Sequence, residues 1–318
     1  THVKTSIEKS VFNGIHVISE LKEANLYLYL EQLKSTARDY ASDGFIRDSI
    51  ESIGLKVTRN KKTINELNQH LIKNKVPLNA DVLYIDVLNL DGTVSSSTEL
   101  KRVGIDSSKE AYFIKSKKDI YINDVRRHDE GDFEIEIAAP LFSRTEPSKL
   151  VGILVNHCTI NSIKDLFSGR LILGLGAKTQ SRGLGDTGET YLVNKDKLMI
   201  SDSIFIEDAS FSSIVDTYPV KMNIEHDAEV TGLWKDYRGV DVVGSSMSIK
   251  IDDFKWTLIT EQDVAEAFAS IDELRKTYGL IIALMVVVAF LTSFFVSKKI
   301  IHPIDLLTRE LNALGKGE

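Results

Sequence analysis

The sequence predicts an α+β chain: a long N-terminal helix, two successive modules of antiparallel strands, and one helix that crosses a membrane near the C-terminus. Three observations predict it. Apolar residues recur at steps of three and four from about residue 3 to 52 with no proline, which is the period of a helix. From Val82 the period shortens to that of strands, and an order of strand pair, helix and further strands occurs twice. Thr277 to Ser297 (TYGLIIALMVVVAFLTSFFVS) carries no charge and lies between Arg275–Lys276 and Lys298–Lys299. About 21 residues rising ~1.5 Å each span ~30 Å, the hydrocarbon thickness of a bilayer.

Composition narrows the function classes. Of the 318 residues, 27% are charged and 43% hydrophobic, which supports a packed core and argues against bulk disorder. About 270 residues outside the span suit two modules better than one. The net charge is −7 and no long basic stretch occurs, which argues against nucleic acid as a partner. The single cysteine, Cys158, excludes an internal disulfide and a cysteine-based zinc site. Its setting, LVGILVNHCTI, reads as that of a buried structural thiol. The chain starts at Thr1 and ends within a helical pattern, so a longer protein is expected at both ends. Lys298 and Lys299 follow the span, whereas Arg275 and Lys276 are partly offset by Asp272 and Glu273. The positive-inside rule then puts the C-terminal side in the cytoplasm.

The elements follow in order. The helical stripe of the first 55 residues uses Ile7, Val11, Ile15, Ile18, Leu21, Leu26, Leu30, Leu33, Ala37 and Ala41. At ~75 Å it is too long for one small domain, so it is a scaffold for both modules and offers a dimer interface along its N-terminal half. Lys61 to Lys73 predicts a second helix, ended by Pro77 and Asn79. Val82–Val87, the turn Asn89-Leu90-Asp91-Gly92 and Thr93–Ser97 predict a hairpin. A short helix is predicted over Lys109–Lys115, and strands over 119–125, 133–139 and 150–158. In the second module, Glu189–Asn194, Leu198–Ser201, 228–234, 240–250 and 255–261 read as strands and Glu207–Asp216 as a helix. From Asp263 a helix runs without a breaker into the span, a lever from the second module to the bilayer. The boundaries are therefore 1–55, 56–175, 176–262, 263–276 for a stalk, 277–297 for the span and 298–318 beyond it.

Several motifs tempt. Gly183, Gly185 and Gly188 match G-x-G-x-x-G, but the β-rich ETYLVN follows where a dinucleotide site needs a helix. They read as a turn opening the second module. The seven histidines include no H-x-x-x-H pair, so spacing supports no metal site. No nucleophile–base set or phosphate loop is found, so this segment is expected to be neither an enzyme nor a cofactor carrier. Asp124 to Glu136 (DVRRHDEGDFEIE) reads either as a solvated loop and outer strand face or as a cation-attracting rim. Tyr84, Tyr112 and Tyr121 are core residues or walls of a small-molecule pocket.

This order of parts resembles the double Cache sensor domains of bacterial and archaeal transmembrane receptors, with two PAS-like modules. The stretches that carry the resemblance are GLGDTGETYLVNKDKLMISDS, RGVDVVGSSMSI and FKWTLITEQDVAEAF in the second module, and IDVLNLDGTVSSS, IYINDV and EIEIAAPLF in the first. KKIIHPIDLLTRELNALGKGE is similar to the start of a HAMP linker. The resemblance implies a homodimer in the cell (inner) membrane, a periplasmic or extracellular sensor and a cytoplasmic C-terminus. It also implies a small ligand in the membrane-distal module. Tyr112-Phe113, Tyr121 and Asp124 match parts of the amino-acid-binding pattern. The arginine that precedes the aromatic pair in that pattern is absent, and its last-strand aspartate falls on His157. The candidate ligand-binding residues are thus Tyr84, Lys109, Tyr112, Tyr121, Asp124 and His157, with the ligand class open. A histidine kinase is the first expectation for the output, ahead of a chemotaxis receptor and of cyclic-dinucleotide or phosphatase outputs. A Cache module that binds another protein instead of a metabolite is the rival reading.

Overall fold

A computed structural model describes residues 2–54, 61–127, 133–168, 172–173, 177–178 and 184–296. Residues 11–263 form one compact unit, and residues 1–10 with 264–318 another.

The first unit is built along α1 (His2–Ala41) from Val11 onward, which is followed by α2 (Gly44–Gly54). The sequence reading made these one helix; the chain breaks at Ser42–Asp43. Asp43 causes the break by capping α2. Its Oδ1 accepts the amides of Phe45 at 2.8 Å and Ile46 at 3.3 Å. Its other oxygen meets Lys75 at 2.7 Å and His70 at 3.0 Å. Satisfying orphan donors in this way is what an N-cap does. The buried face of α1 runs through Ile15, Ser19, Lys22, Leu26, Leu30, Leu33, Ala37 and Tyr40. The expected stripe went through Ile18 and Leu21 instead, yet Leu21 is 59% exposed and Lys22 is buried. The Lys22 ammonium is accommodated because it donates to the Leu166 carbonyl at 2.8 Å. That carbonyl lies near the C-terminus of α5 (Asn161–Ser168), where helix carbonyls lack intrahelical partners.

The distal sheet contains β1 (Val82–Leu88), β2 (Val94–Ser97), β3 (Tyr121–Ile122), β4 (Arg126–Arg127), β5 (Phe133–Phe142) and β6 (Leu150–Thr159). Its order is β2-β1-β6-β5-β3, with β4 also on β5, and every pairing is antiparallel. Only Tyr121 and Ile122 of the strand expected over 119–125 pair. Helices α3 (Lys61–Asn74) and α4 (Ala111–Lys115) accompany this module. A short ladder, β7 (Ile172–Leu173) with β8 (Ala177–Lys178), comes next in the chain.

The proximal sheet has the order β10-β11-β12-β9, with β9 at Glu189–Val193, β10 at Thr231–Lys235, β11 at Asp241–Ile251 and β12 at Phe254–Asp263. Gly188 ends the turn that precedes β9, so a strand and not a helix follows the glycines. Leu198–Ser201 is not a full strand; single bridges join Val193 to Met199 and Leu198 to Ile214. No helix forms over 207–216, because Asp208 and Phe211 hold left-handed backbone with φ of 53° and 55°. The helix is α6 (Tyr218–His226), started by Pro219 in its first turn.

One apolar cluster joins α1 to both sheets. It includes Leu26, Leu33, Ile137 and Leu154 on the distal side and Leu192, Met247, Trp256 and Leu258 on the proximal side. Phe133 stacks on Phe211 with ring centroids 3.6 Å apart. Polar contacts edge this seam: Tyr29 to Asp81 at 2.9 Å, Lys34 to Asp252 at 3.3 Å, and His16 with Ser245 at 3.2 Å.

The second unit contains α7 (Val264–Ala267) and α8 (Ala269–Val296). A turn at Phe268 interrupts the expected continuous helix. Lys276–Phe295 is long and apolar enough to cross a membrane, and none of it is buried among the described residues. The HAMP-like segment at 298–318 lies outside the described residues.

Gly152 on β6 tests the packing of α2 on the sheet. A Cβ there would sit 2.6 Å from the Leu88 carbonyl oxygen and 2.8 Å from Ile50. Gly152→Ala is expected to destabilise the first unit by about 1–3 kcal/mol. Urea unfolding followed by the fluorescence of Trp234 and Trp256 measures it, and an unchanged midpoint would refute so close an approach.

Candidate functional site

Strand alternation builds the site. On β1, Tyr84 and Asp86 share a face, while Ile85 and Val87 face the main core. On β5 the pattern FEIEIAA puts Glu134 and Glu136 on one face, with Ile135 and Ile137 in the core on the other. On β6, Cys158 enters the core and His157 faces the acids. Register completes the cluster, because His157 pairs with Glu136 on one side and Tyr84 on the other. Arg126 of β4 pairs with Glu134. Arg102 arrives from the 3-10 turn Leu100–Arg102.

Three carboxylates surround the wholly buried His157. Its Nε2 is 3.3 Å from Asp86, and its Nδ1 is 3.6 Å from both Glu134 and Glu136. The Tyr84 ring stacks on the imidazole at 4.0 Å, and Tyr112 meets it edge-on at 6.2 Å. The Tyr84 hydroxyl donates to Glu134 at 2.9 Å. Arg102 donates to Asp86 at 2.9 Å and lies 5.0 Å over the Tyr84 ring. Arg126 donates to Glu134 at 3.1 Å and also contacts Glu136. Asn123 donates to the second oxygen of Glu136 at 2.7 Å.

These contacts set the protonation states. Burial opposes charge on His157, but Asp86 and Glu134, with the charge of Glu136, outweigh it and hold the imidazole up at about 9. Burial likewise opposes charge on Glu134, yet His157 and Arg126 bring its carboxyl down to about 2. Asp86 is lowered for the same reasons, with His157 and Arg102 overcoming burial. At Glu136 burial wins and the carboxyl is raised. With all groups ionised, Asp86, Glu134 and Glu136 balance Arg102, Arg126 and His157. Such a cluster adds little net stability, but deleting one member leaves an uncompensated buried charge.

A cleft of about 230 Å³ opens over this cluster, lined by Arg102, Ser107, Glu110, Tyr112, Arg126, Arg127 and Glu134 among others. That volume suits a small polar molecule. Two clefts of about 290 and 280 Å³ lie elsewhere on the module, at Glu51–Lys149 and Arg38–Lys118.

Of the residues expected to bind ligand, Tyr84, Tyr112 and His157 come together here. Tyr121 and Asp124 turn toward the proximal module: the Tyr121 hydroxyl donates to Asp253 at 2.5 Å, and Asp124 accepts from the Trp256 indole at 2.9 Å. Lys109 is exposed and does not line the cleft. Asp86, Arg102, Arg126, Glu134 and Glu136 were not among the candidates. The alternation of FEIEIAA was the available signal for the two glutamates. Both are buried, so the solvated-face reading fails for them; residues 128–132 of that acidic segment lie outside the described residues.

The proximal module carries a second buried acid pair. Glu189 and Glu261 face each other across β9 and β12. Glu261 accepts from Tyr191 at 2.9 Å and from Trp234 at 3.0 Å, and Glu189 accepts from Tyr237 at 2.5 Å. Burial, and then the charge of Glu189, push the Glu261 carboxyl up to about 8.

No protein-family model and no curated protein matches the chain. Solved structures do match its fold. The sensory domain of the Campylobacter jejuni chemoreceptor Tlp3 with isoleucine bound is 15% identical, with 83% of this chain and 97% of that one covered and a TM-score of 0.58. The ligand-binding domain of the Pseudomonas aeruginosa amino acid chemoreceptor PctC in complex with GABA is 12% identical, with 79% and 99% covered and a TM-score of 0.54. An extracellular ligand binding receptor from Desulfohalobium retbaense is 13% identical with a TM-score of 0.50; 78% of this chain matches 40% of that one. The chain therefore shares the double Cache fold of these domains, followed by a helix long and apolar enough to cross a membrane.

Glu261 gives a pH test. Its folded value, about 8 against an ordinary 4.5, means that the folded state holds a proton the unfolded chain releases. The stability tied to that proton is complete below the ordinary value and is lost as pH rises through the folded one. The wild type should therefore lose stability between about pH 5 and 8.5. Glu261→Gln should flatten that decline and be the more stable protein at the alkaline end, by urea midpoints across the range.

Proposed function

We propose that residues 11–263 are the extracytoplasmic ligand-sensing part of a homodimeric membrane receptor, and that a small polar metabolite binds in the distal cleft. The observation that carries this reading is a cleft of metabolite size opening on oriented guanidinium groups and the buried carboxylates they pair with. Tyr112 supplies a flat wall, Ser107 a hydroxyl, and Arg127 and Glu110 opposite charges at the rim. Such a lining orients a polar ligand through few contacts. The fold supports the same role, since its solved relatives are ligand-binding domains of receptors, in complex with isoleucine, arginine or GABA. Residues Tyr84, Asp86, Glu134, Glu136 and His157 form the floor of the site. Tyr121 and Asp124 act in this reading as the link to the proximal module.

The dimer rests on α1. Val17, Leu21 and Leu28 are 50%, 59% and 69% exposed. At 100° per residue they fall within about 40° of one another on the helix. Val17 and Leu21 lie in the N-terminal half of α1, which the sequence reading assigned to dimerisation, and Leu28 extends the strip beyond it. With α8 in the inner membrane and the C-terminus in the cytoplasm, the output is a histidine kinase or, alternatively, a chemoreceptor signalling domain.

A thermal-shift screen of the chain in detergent tests the sensing role, using the twenty amino acids, GABA, small amines, carboxylates and purines. At 100-fold excess over its dissociation constant, a ligand should add about 2.7 kcal/mol. Tyr112→Phe and Arg127→Gln, which leave the buried charges in place, should weaken a hit about tenfold or more. A folded protein unmoved by the whole panel would overturn the metabolite reading.

A further inference from the structure

The floor of the distal cleft has a geometry that small-molecule sensing does not require. Nδ1 of His157 and one oxygen each of Glu134 and Glu136 lie within 4.8 Å of one another. Among the described residues, neither ring nitrogen of His157 makes an aligned hydrogen bond, although the ring is wholly buried. Buried polar atoms are almost always hydrogen-bonded; here the nitrogens instead face three carboxylates at 3.3–3.6 Å, a spacing that leaves Nδ1 and two glutamate oxygens around one point. Behind the ring, Nε2 faces Asp86 at 3.3 Å. A carboxylate at the far nitrogen is the arrangement that orients a metal-binding imidazole and raises its basicity. The space between the two glutamates is bridged by one nitrogen of Arg126. That side chain is 36% exposed and lines the cleft, so it has a way out.

We propose that His157, Glu134 and Glu136 form a divalent-cation site, which an ion enters as Arg126 swings into the cleft. Charge allows the exchange. Asp86, Glu134 and Glu136 supply three negative charges, and Arg102 returns one. The remaining two are balanced either by Arg126 with the imidazolium or by one divalent ion. Binding therefore sends the Nδ1 proton to solvent and leaves the buried charge unchanged. One imidazole and two carboxylates favour Zn²⁺ or Mn²⁺ over Mg²⁺ and Ca²⁺, which prefer oxygen ligands alone. Cys158 contributes nothing, because its thiol enters the core on the other face. The inference holds whether or not a metabolite occupies the cleft.

The test uses the tag-free chain in lipid nanodiscs, stripped with a chelator and titrated with ZnCl₂ and MnCl₂. The expected result is one ion per chain and about one proton released, read by calorimetry in two buffers of different ionisation enthalpy. His157→Gln and Glu136→Gln should weaken binding about 100-fold. Arg126→Gln keeps every ligand and removes the competing cation, so it should tighten binding about tenfold. That variant keeps the test decisive if the ligand variants do not fold. Absence of binding at millimolar ion, or binding that Arg126→Gln leaves unchanged, would overturn the site. Equal binding of Ca²⁺ would overturn the assignment of its class.

Discussion

The first unit depends on one apolar seam. The inner face of α1 is longer than either sheet can cover, and each sheet has a face that α1 alone cannot bury. A single cluster from Leu26 through Ile137 to Trp256 and Leu258 satisfies all three at once. The polar contacts at its edge are few and directed: Trp256 to Asp124, Tyr121 to Asp253, and the Ile122 amide to Asp252 at 2.7 Å. They come from β3 and the residues that follow it, which also lead into Arg126 at the cleft. A shift of that segment therefore touches the site and the seam together, and packed interfaces of this kind change between discrete arrangements instead of deforming smoothly.

The two modules solve the same desolvation problem differently. In the distal module, buried carboxylates are matched by cations: Arg102, Arg126 and a charged His157. In the proximal module the acid pair Glu189 and Glu261 has hydroxyl and indole donors in close contact, and one carboxyl keeps its proton instead. Both follow from the high cost of an unpaired charge away from water. Pairing leaves the distal groups ionised and able to exchange one counter-charge for another. Protonation of one carboxyl leaves the proximal pair with a single charge and sensitive to pH. The same sheet architecture thus supports two kinds of response without a change of fold.

Much of the fold was legible because its signals are local. The Asp91-Gly92 turn, the alternation of β5 and the span of α8 need only neighbouring residues. Where the reading slipped, a tertiary contact had overridden a local pattern. Lys22 replaces Leu21 in the buried face of α1 because a helix-end carbonyl waits for its ammonium. Helix 207–216 fails because Phe211 leaves helical backbone to stack on Phe133. Asp43 ends α1 because two basic side chains hold its free oxygen.

The sequence alone determined the order of elements, the membrane-crossing helix and which residues share a strand face. Its single cysteine also excluded an internal disulfide and a cysteine-based zinc site. The tertiary structure decided which faces are filled and by what. From their own segment Glu134 and Glu136 read either as a solvated face or as a cation-attracting rim; only the antiparallel register of β1, β5 and β6 encloses them around His157. Tyr121 and Asp124 sit in the expected segment but meet the other module. The physical reason is the same in each case. A strand's period of two names a face, but only its pairing with residues many positions away says whether that face meets water, apolar side chains or an opposite charge.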